Sequence, residues 1–261
     1  MFTSTMATRK TIYVKIGGST ITEKGAKQPK PRMDRIRSFC SEVKQVVSSG
    51  TQLILAHGGG SYAHPFAARH SLDAGLTLKN RIGVTETRYW LTELSQIFLR
   101  EFLRASLPVV VFHPSSLVYK SSSGWTPFLT PIKLALENEI TPLLMGDVVF
   151  AEDTGVAILS ADDIPLLLLD VVDEVLFLVD VPGVMDESGR VLRVVRKKDL
   201  VDIGKTSAST IDVTGGMEEK VKKALLLAEK GKKVRIAGYK EKGDLLKALN
   251  GLSGTEIILD Y

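Results

Sequence analysis

Three side chains beside glycine-rich junctions carry most of the chemistry this sequence could perform: Lys15, His64 and Lys220. Lys15 closes the β-branched run Thr11–Ile16 and leads into Gly17, Gly18 and Ser19. His64 stands four residues past the last of three consecutive glycines, Gly58–Gly60, which themselves follow the apolar run Leu53–Ala56. Lys220 falls just after Gly215 and Gly216, at the start of a helical pattern. Glycine lets a backbone approach a ligand closely and turn successive N–H groups into one cavity. With a helix N-terminus behind it, such a turn suits an anion, phosphate above all. A strand-end lysine and a histidine add cationic donors to the same cavity. Lys24, nine residues after Lys15, must fold back over the cavity to take part. A lysine in a first helical turn opposes the helix dipole, so a bound phosphate explains Lys220 better than solvation does.

Other chemistries have weaker claims. Gly58, Gly60 and Ala63 fit a permitted form of the dinucleotide fingerprint, but the acidic residue expected about 20 positions later is missing. Asp73 comes too early and sits in a turn-like Asp-Ala-Gly. The His-Gly-Gly-Gly run resembles an esterase oxyanion loop, yet the chain has no Gly-x-Ser-x-Gly elbow. Gly204-Lys205-Thr206 looks like the tail of a Walker A loop, but Asp199 stands where its first glycine belongs. The four histidines show no metal-ligand spacing with cysteine or carboxylate partners, so no metal site is expected.

The composition is that of an ordinary globular protein. Its 261 residues are 44% hydrophobic and 25% charged, enough for a substantial core and close to average usage. The net charge of +4 is spread along the chain, and aromatics make up only 7%, which argues against a nucleic-acid platform. Cys40 is the one cysteine, so no intrachain disulfide can hold the fold and a cytoplasmic setting is expected. No apolar run reaches the roughly 20 residues that a membrane span needs. Met1–Lys10 lacks the apolar centre of a signal peptide and reads as a polar leader.

Strands and helices alternate around these residues. Thr11–Ile16, Leu53–Ala56, Pro108–His113, Thr141–Leu144, Glu174–Val179, Lys233–Ala237 and Glu256–Leu259 read as strands. Asp34–Ser49, Tyr62–His70, Thr85–Ser106, Leu134–Asn138, a segment from Ile164, one from Gly215 to Lys230 and one near 244–250 read as helices. Glu23–Arg32 reads as a polar loop. Hairpins are expected around 121–124, across Glu152–Gly155 and at Asp186–Arg190. Asp162 and Asp163 precede a proline-initiated helix, so one of them is expected to cap it. With glycines at strand ends (Gly17–Gly18, Gly58–Gly60, Gly146, Gly183), the pattern predicts a three-layer αβα sandwich. Its central sheet would be mostly parallel, with inserted β-hairpins and ligands along one sheet edge.

Six pieces occur in order along nearly the whole chain: Lys15–Ser19 with Lys24, His57–Pro65, Gly146-Asp147, Ser160–Asp163, Asp180–Val184, and Asp212–Met217 with Lys220. Together they resemble the amino acid kinase superfamily and, within it, the isopentenyl phosphate kinase branch. The histidine–proline pair after the triple glycine is the most specific piece; Ala161, where glycine is expected, is the one departure. The resemblance implies one domain over residues 1–261, with an acceptor half to about residue 170 and a nucleotide half beyond it. It implies transfer of phosphate from ATP, with Mg²⁺, to isopentenyl phosphate, in a homodimer. By the same resemblance Lys15, Lys24 and His64 are catalytic. Gly58, Gly59, His64 and Gly146 hold the substrate, and Lys15, Gly17, Gly18, Ser19, Gly60, Asp162, Asp180, Gly183, Gly216 and Lys220 hold the nucleotide. Tyr62, Phe66, Tyr89 and Phe98 are candidates for lining an apolar pocket. A kinase of another small anion such as fosfomycin, or a non-catalytic nucleotide-binding regulator, remains an alternative on the same fold.

Overall fold

A computed structural model of the chain describes residues 9–24, 28–201, 211–212 and 215–259. The Walker-like Gly204–Thr206, most of the leader, part of the loop after Lys24, and Val213 and Thr214 lie outside the described residues. The strands are β1 (Thr11–Ile16), β2 (Gln52–His57), β3 (Val109–Val111), β4 (Val118–Ser121), β5 (Gly124–Pro127), β6 (Thr141–Met145) and β7 (Asp147–Ala151). They continue with β8 (Gly155–Leu159), β9 (Glu174–Val179), β10 (Met185–Asp186), β11 (Val194–Arg196), β12 (Ile211–Asp212), β13 (Lys233–Gly238) and β14 (Thr255–Ile258). The helices are α1 (Gly18–Ile21), α2 (Met33–Ser48), α3 (His64–Arg69), α4 (Arg81–Arg104) and α5 (Thr130–Glu137). After them come α6 (Ile164–Leu167), α7 (Lys197–Val201), α8 (Gly215–Glu229) and α9 (Asp244–Leu249).

The central sheet runs in the order β11-β14-β13-β9-β1-β2-β6-β3. Every neighbouring pair in it is parallel except β13 and β14. Alternation along β1 builds both faces, because successive side chains of a strand point to opposite sides. Ile12, Val14 and Ile16 enter the apolar cluster shared with α2, α4 and α9. Tyr13 enters the opposite cluster, shared with α5, α6 and α8. The result is the expected three-layer sandwich. The same alternation puts Lys15 on the α6–α8 face, one turn of the pleat beyond Tyr13.

The inserted hairpins form a separate sheet, β5-β4-β7-β8, and Leu72, Val148 and Val156 make a small third cluster beneath it. Several elements differ from the pattern reading. Helix α4 begins at Arg81, a turn before the apolar stripe becomes visible. Helix α5 begins at Thr130, with Pro131 in its first turn. The Asp186–Arg190 turn forms, with Asp186 N–H donating to Arg190 O at 2.9 Å, but β11 leaves it to pair in parallel with β14 at the sheet edge.

Candidate active site

Strand β1 lies between β2 and β9, so the chain departs from it in both directions across the sheet. A crevice forms outside the carboxyl ends of the strands at such a switch point. Here it is a cleft of about 690 Å³, walled by the segments that follow β1, β2 and β9 and by the start of α8. Of the residues named from sequence, Lys15, Gly17, Gly18, Ser19, Lys24, Gly60, His64, Asp180, Gly216 and Lys220 line it. A second cavity of about 340 Å³, at the opposite end of the strands beside Arg9, Lys44 and Glu139, contains none of them.

The cleft floor is a buried ion triad. Lys15 Nζ lies 2.8 Å from Asp162 Oδ1, and Lys220 Nζ contacts the other carboxylate oxygen. Burial pushes the Asp162 carboxyl up, but Lys15 and then Lys220 outweigh it and hold the group well below the usual carboxylate range. Lys220 is pushed down to about 8, chiefly by burial and then by the charge of Lys15, with Asp162 opposing both. Its ammonium also sits 5.4 Å above the Phe177 ring centroid. Two ammonium groups against one carboxylate leave one surplus positive charge out of bulk water, where charge is expensive unless matched. Tyr13 anchors the arrangement by donating its hydroxyl to Ala161 O at 2.7 Å. Sequence reasoning missed that role, although Tyr13 precedes Lys15 by two residues on the same strand face.

One of Asp162 and Asp163 was expected to cap α6, and the structure corrects this. Among the described residues no side chain caps α6. Asp162 serves the two lysines, and Asp163 pairs with Lys223 at 2.8 Å. Lysine partners outcompete an orphan N–H for a carboxylate because both partners carry full charge. Ala161, in place of the expected glycine, is accommodated in the core.

Above the floor, Lys24 and Asp180 form an exposed pair at 3.2 Å. Partial burial raises the Asp180 carboxyl, and Lys24 together with Ser19 brings it net below its ordinary value. His64 starts α3 on the cleft rim, with Pro65 in the first turn. Burial first, then the charge of Lys15, lowers the pKa of its imidazole, so the ring is neutral at pH 7.

Five of the named residues lie off the cleft lining. Asp162 sits behind the wall, bound to the lysines that do line it. Gly58 uses its N–H on Ile16 O at 2.9 Å, and Gly146 directs its own toward His57 O at 3.3 Å. A Cβ on Gly59 would fall 2.2 Å from Ala63 Cβ, and one on Gly183 would fall 2.8 Å from Thr255 Oγ1. These glycines are required by packing. Gly216 is different: among the described residues a Cβ there meets nothing within 4 Å, and Gly216 lines the cleft.

The aromatic candidates separate in the same way. Phe98 is fully buried, stacked on His57 at 5.2 Å, while Tyr62 and Phe66 pack on Trp90. Tyr89 is exposed beside Trp90. None of the four lines the cleft. Burial pushes the His57 pKa down to about 4, and its Nε2 lies 2.9 Å from Ser95 Oγ, so this histidine is a neutral core residue.

The fold and the cleft together define a class: α/β proteins with a cationic, glycine-lined cleft at the carboxyl edge of a mostly parallel sheet. Within that class the chain belongs to the amino acid kinase family, whose model matches residues 10–238. It is similar to the isopentenyl phosphate kinase of Methanothermobacter thermautotrophicus, with 29% identity over 94% of this chain and 98% of the relative. A solved structure described as isopentenyl phosphate kinase superposes with a TM-score of 0.80 at 26% identity, covering 95% of this chain and 99% of that one. Carbamate kinase from Giardia lamblia bound to AMP-PNP shares the fold, with a TM-score of 0.69, 18% identity and coverage of 98% and 100%.

Proposed function

We propose that this protein transfers the γ-phosphoryl group of ATP to isopentenyl phosphate, forming isopentenyl diphosphate and ADP. A phosphate oxygen of the acceptor attacks the γ-phosphorus, and the bond from that phosphorus to the β–γ bridging oxygen breaks. The acceptor arrives already ionised, so no strong base is needed, and positioning with cationic stabilisation supplies the catalysis. The surplus buried charge of the Lys15–Asp162–Lys220 triad carries this reading, because a nucleotide phosphate is a partner that the described residues do not supply.

In this reading Lys15, Ser19, Gly18 and Gly60 hold the ATP phosphates. Asp180, Gly216 and Lys220 border the nucleotide, with Asp162 fixing the two lysines from behind. His64 donates an N–H to the acceptor phosphate beside Gly59, and Lys24 swings from Asp180 to the transferring group. The division at about residue 170 has support in the sheet order. Strands β1, β2, β6 and β3 lie on one side of the β1–β9 seam, and β9, β13, β14 and β11 lie on the other. The first half takes the acceptor and supplies the loops that hold the ATP phosphates, and the second takes the rest of the nucleotide.

Magnesium enters as the counter-ion of ATP. Among the described residues no group of three His, Cys, Asp or Glu could hold a metal ion. Asp162 and Asp163 are held by lysines and Asp180 alone makes no metal site, so the described residues do not fit a resident magnesium site. Among them, too, no helix is long and apolar enough to cross a membrane. A cytoplasmic setting fits the buried Cys40, and a homodimer is the assembly that the family resemblance suggests.

The test is ADP release with isopentenyl phosphate, dimethylallyl phosphate, fosfomycin, N-acetylglutamate and UMP side by side. Turnover confined to the two isoprenoid phosphates is the expected result. Preference for fosfomycin would reassign the acceptor, and silence across the panel with tight ATP binding would favour a regulator.

A further inference from the structure

We propose that Thr22 is a positioning residue that locks the nucleotide-side loop to the acceptor-side loop, an inference that rests on the kinase reading above. Thr22 is fully buried at the end of α1. Its hydroxyl donates to Gly18 O at 2.8 Å and accepts the Ser61 N–H at 3.1 Å. One oxygen thus bonds the turn after β1 to the turn after β2.

The neighbouring backbone shows how tight this joint is. A Cβ on Gly60, whose φ is +51°, would sit 2.2 Å from Thr22 Oγ1. One on Gly18 would sit 2.2 Å from Gly60 N. The two loops therefore touch backbone to backbone, which stops them closing further, while the hydroxyl stops them parting. Thr22 also forms the root of the stretch that carries Lys24. It bridges to Pro31, and its carbonyl accepts the Arg32 Nε–H at 3.2 Å. The nucleotide loop, the acceptor loop and the Lys24 stretch meet at this residue.

In-line transfer depends on the distance between attacking oxygen and phosphorus, and a misplacement of about 1 Å costs on the order of 10²-fold in rate. Thr22→Val keeps the side-chain shape and removes both hydroxyl bonds. Gly18 O retains a partner, because the Thr22 N–H also donates to it at 2.9 Å. The loss thus falls mainly on Ser61 N–H and on the spacing between the loops. Thr22→Ser keeps both bonds and loses only a methyl group.

The experiment measures kcat, both KM values and the melting temperature for wild type, Thr22→Val and Thr22→Ser. It is run with whichever acceptor the wild type uses, together with amide hydrogen exchange at Ser61. The expected result for Thr22→Val is a kcat about 10- to 100-fold lower, KM values within about threefold, a near-native melting temperature and faster Ser61 exchange. Thr22→Ser returns kcat to within about threefold of wild type. Unchanged kcat in Thr22→Val, equal impairment in Thr22→Ser, or a loss that follows melting temperature would overturn the proposal. If Thr22→Val does not fold, Ser61 exchange in the wild type decides: a fast-exchanging amide removes the joint. Should the wild type turn over no acceptor, the kinase reading fails, while Ser61 exchange still reports on the joint itself.

Discussion

The cleft holds two lysine–aspartate clusters of similar chemistry in opposite surroundings. Lys15, Lys220 and Asp162 keep 8%, 10% and 15% of their side-chain surface exposed, whereas Lys24 and Asp180 keep 75% and 36%. Buried charges hold fixed positions and act through a low dielectric, but each must be matched. Exposed pairs are screened, contribute little to stability and exchange partners readily. The triad therefore suits a standing anion receptor, and Lys24 suits a cation that moves to the charge developing during transfer.

Breaking the buried side has the largest consequence. Asp162→Asn leaves two buried ammonium groups with no counter-charge among the described residues, and removing one partner of a buried pair costs roughly 3–5 kcal/mol. A large drop in melting temperature is expected, with turnover nearly lost, and added ATP should raise the variant's melting temperature more than it raises that of the wild type. Equal shifts with ATP would show that the nucleotide does not meet the triad.

His64→Ala should come next. A single aligned donor to a reacting oxyanion is worth about 10²- to 10³-fold in rate. ATP affinity should stay unchanged in equilibrium titration, since His64 belongs to the acceptor side. Near-normal turnover would remove it from the mechanism.

Lys24→Met probes the exposed side. Melting should shift by the equivalent of less than about 1 kcal/mol, because exposed ion pairs contribute no more than that. Turnover should fall about tenfold or more, with ATP affinity nearly intact, as expected of a contact made mainly in the transition state. A stability loss as large as that of Asp162→Asn would erase the contrast between the two pairs.

The part of the cleft that reads from sequence is local in the chain. Lys15 was visible because a β-branched run ends in two glycines, and period-two alternation then fixes its face. Gly18 and Gly60 were visible as glycines, although the reason is close backbone approach in both and a positive φ only in Gly60. What stayed hidden depends on long-range pairing. Asp162 and Asp163 look like caps until β1 and α8 bring Lys15, Lys220 and Lys223 to them. Gly183 looks like a ligand-facing turn until β14 packs Thr255 against it. Thr22 carries no signal, since its partner Ser61 is 39 residues away. The apolar stripe of α4 announced a core face, and Phe98 lies on it, but the pattern could not show that its neighbour is the buried His57.

The most direct test of the central claim, that the buried triad is the nucleotide receptor, is ATP affinity by calorimetry from about pH 7.5 to about pH 9.5. Lys220, lowered to about 8 in the empty site, must be protonated to receive phosphate. Affinity should therefore be nearly level below that pH and weaken by up to about tenfold per unit above it. Lys24→Met should keep this profile, and Lys220→Met should bind weakly with the profile flattened. A level wild-type profile, or one abolished by Lys24→Met and kept by Lys220→Met, would contradict the account.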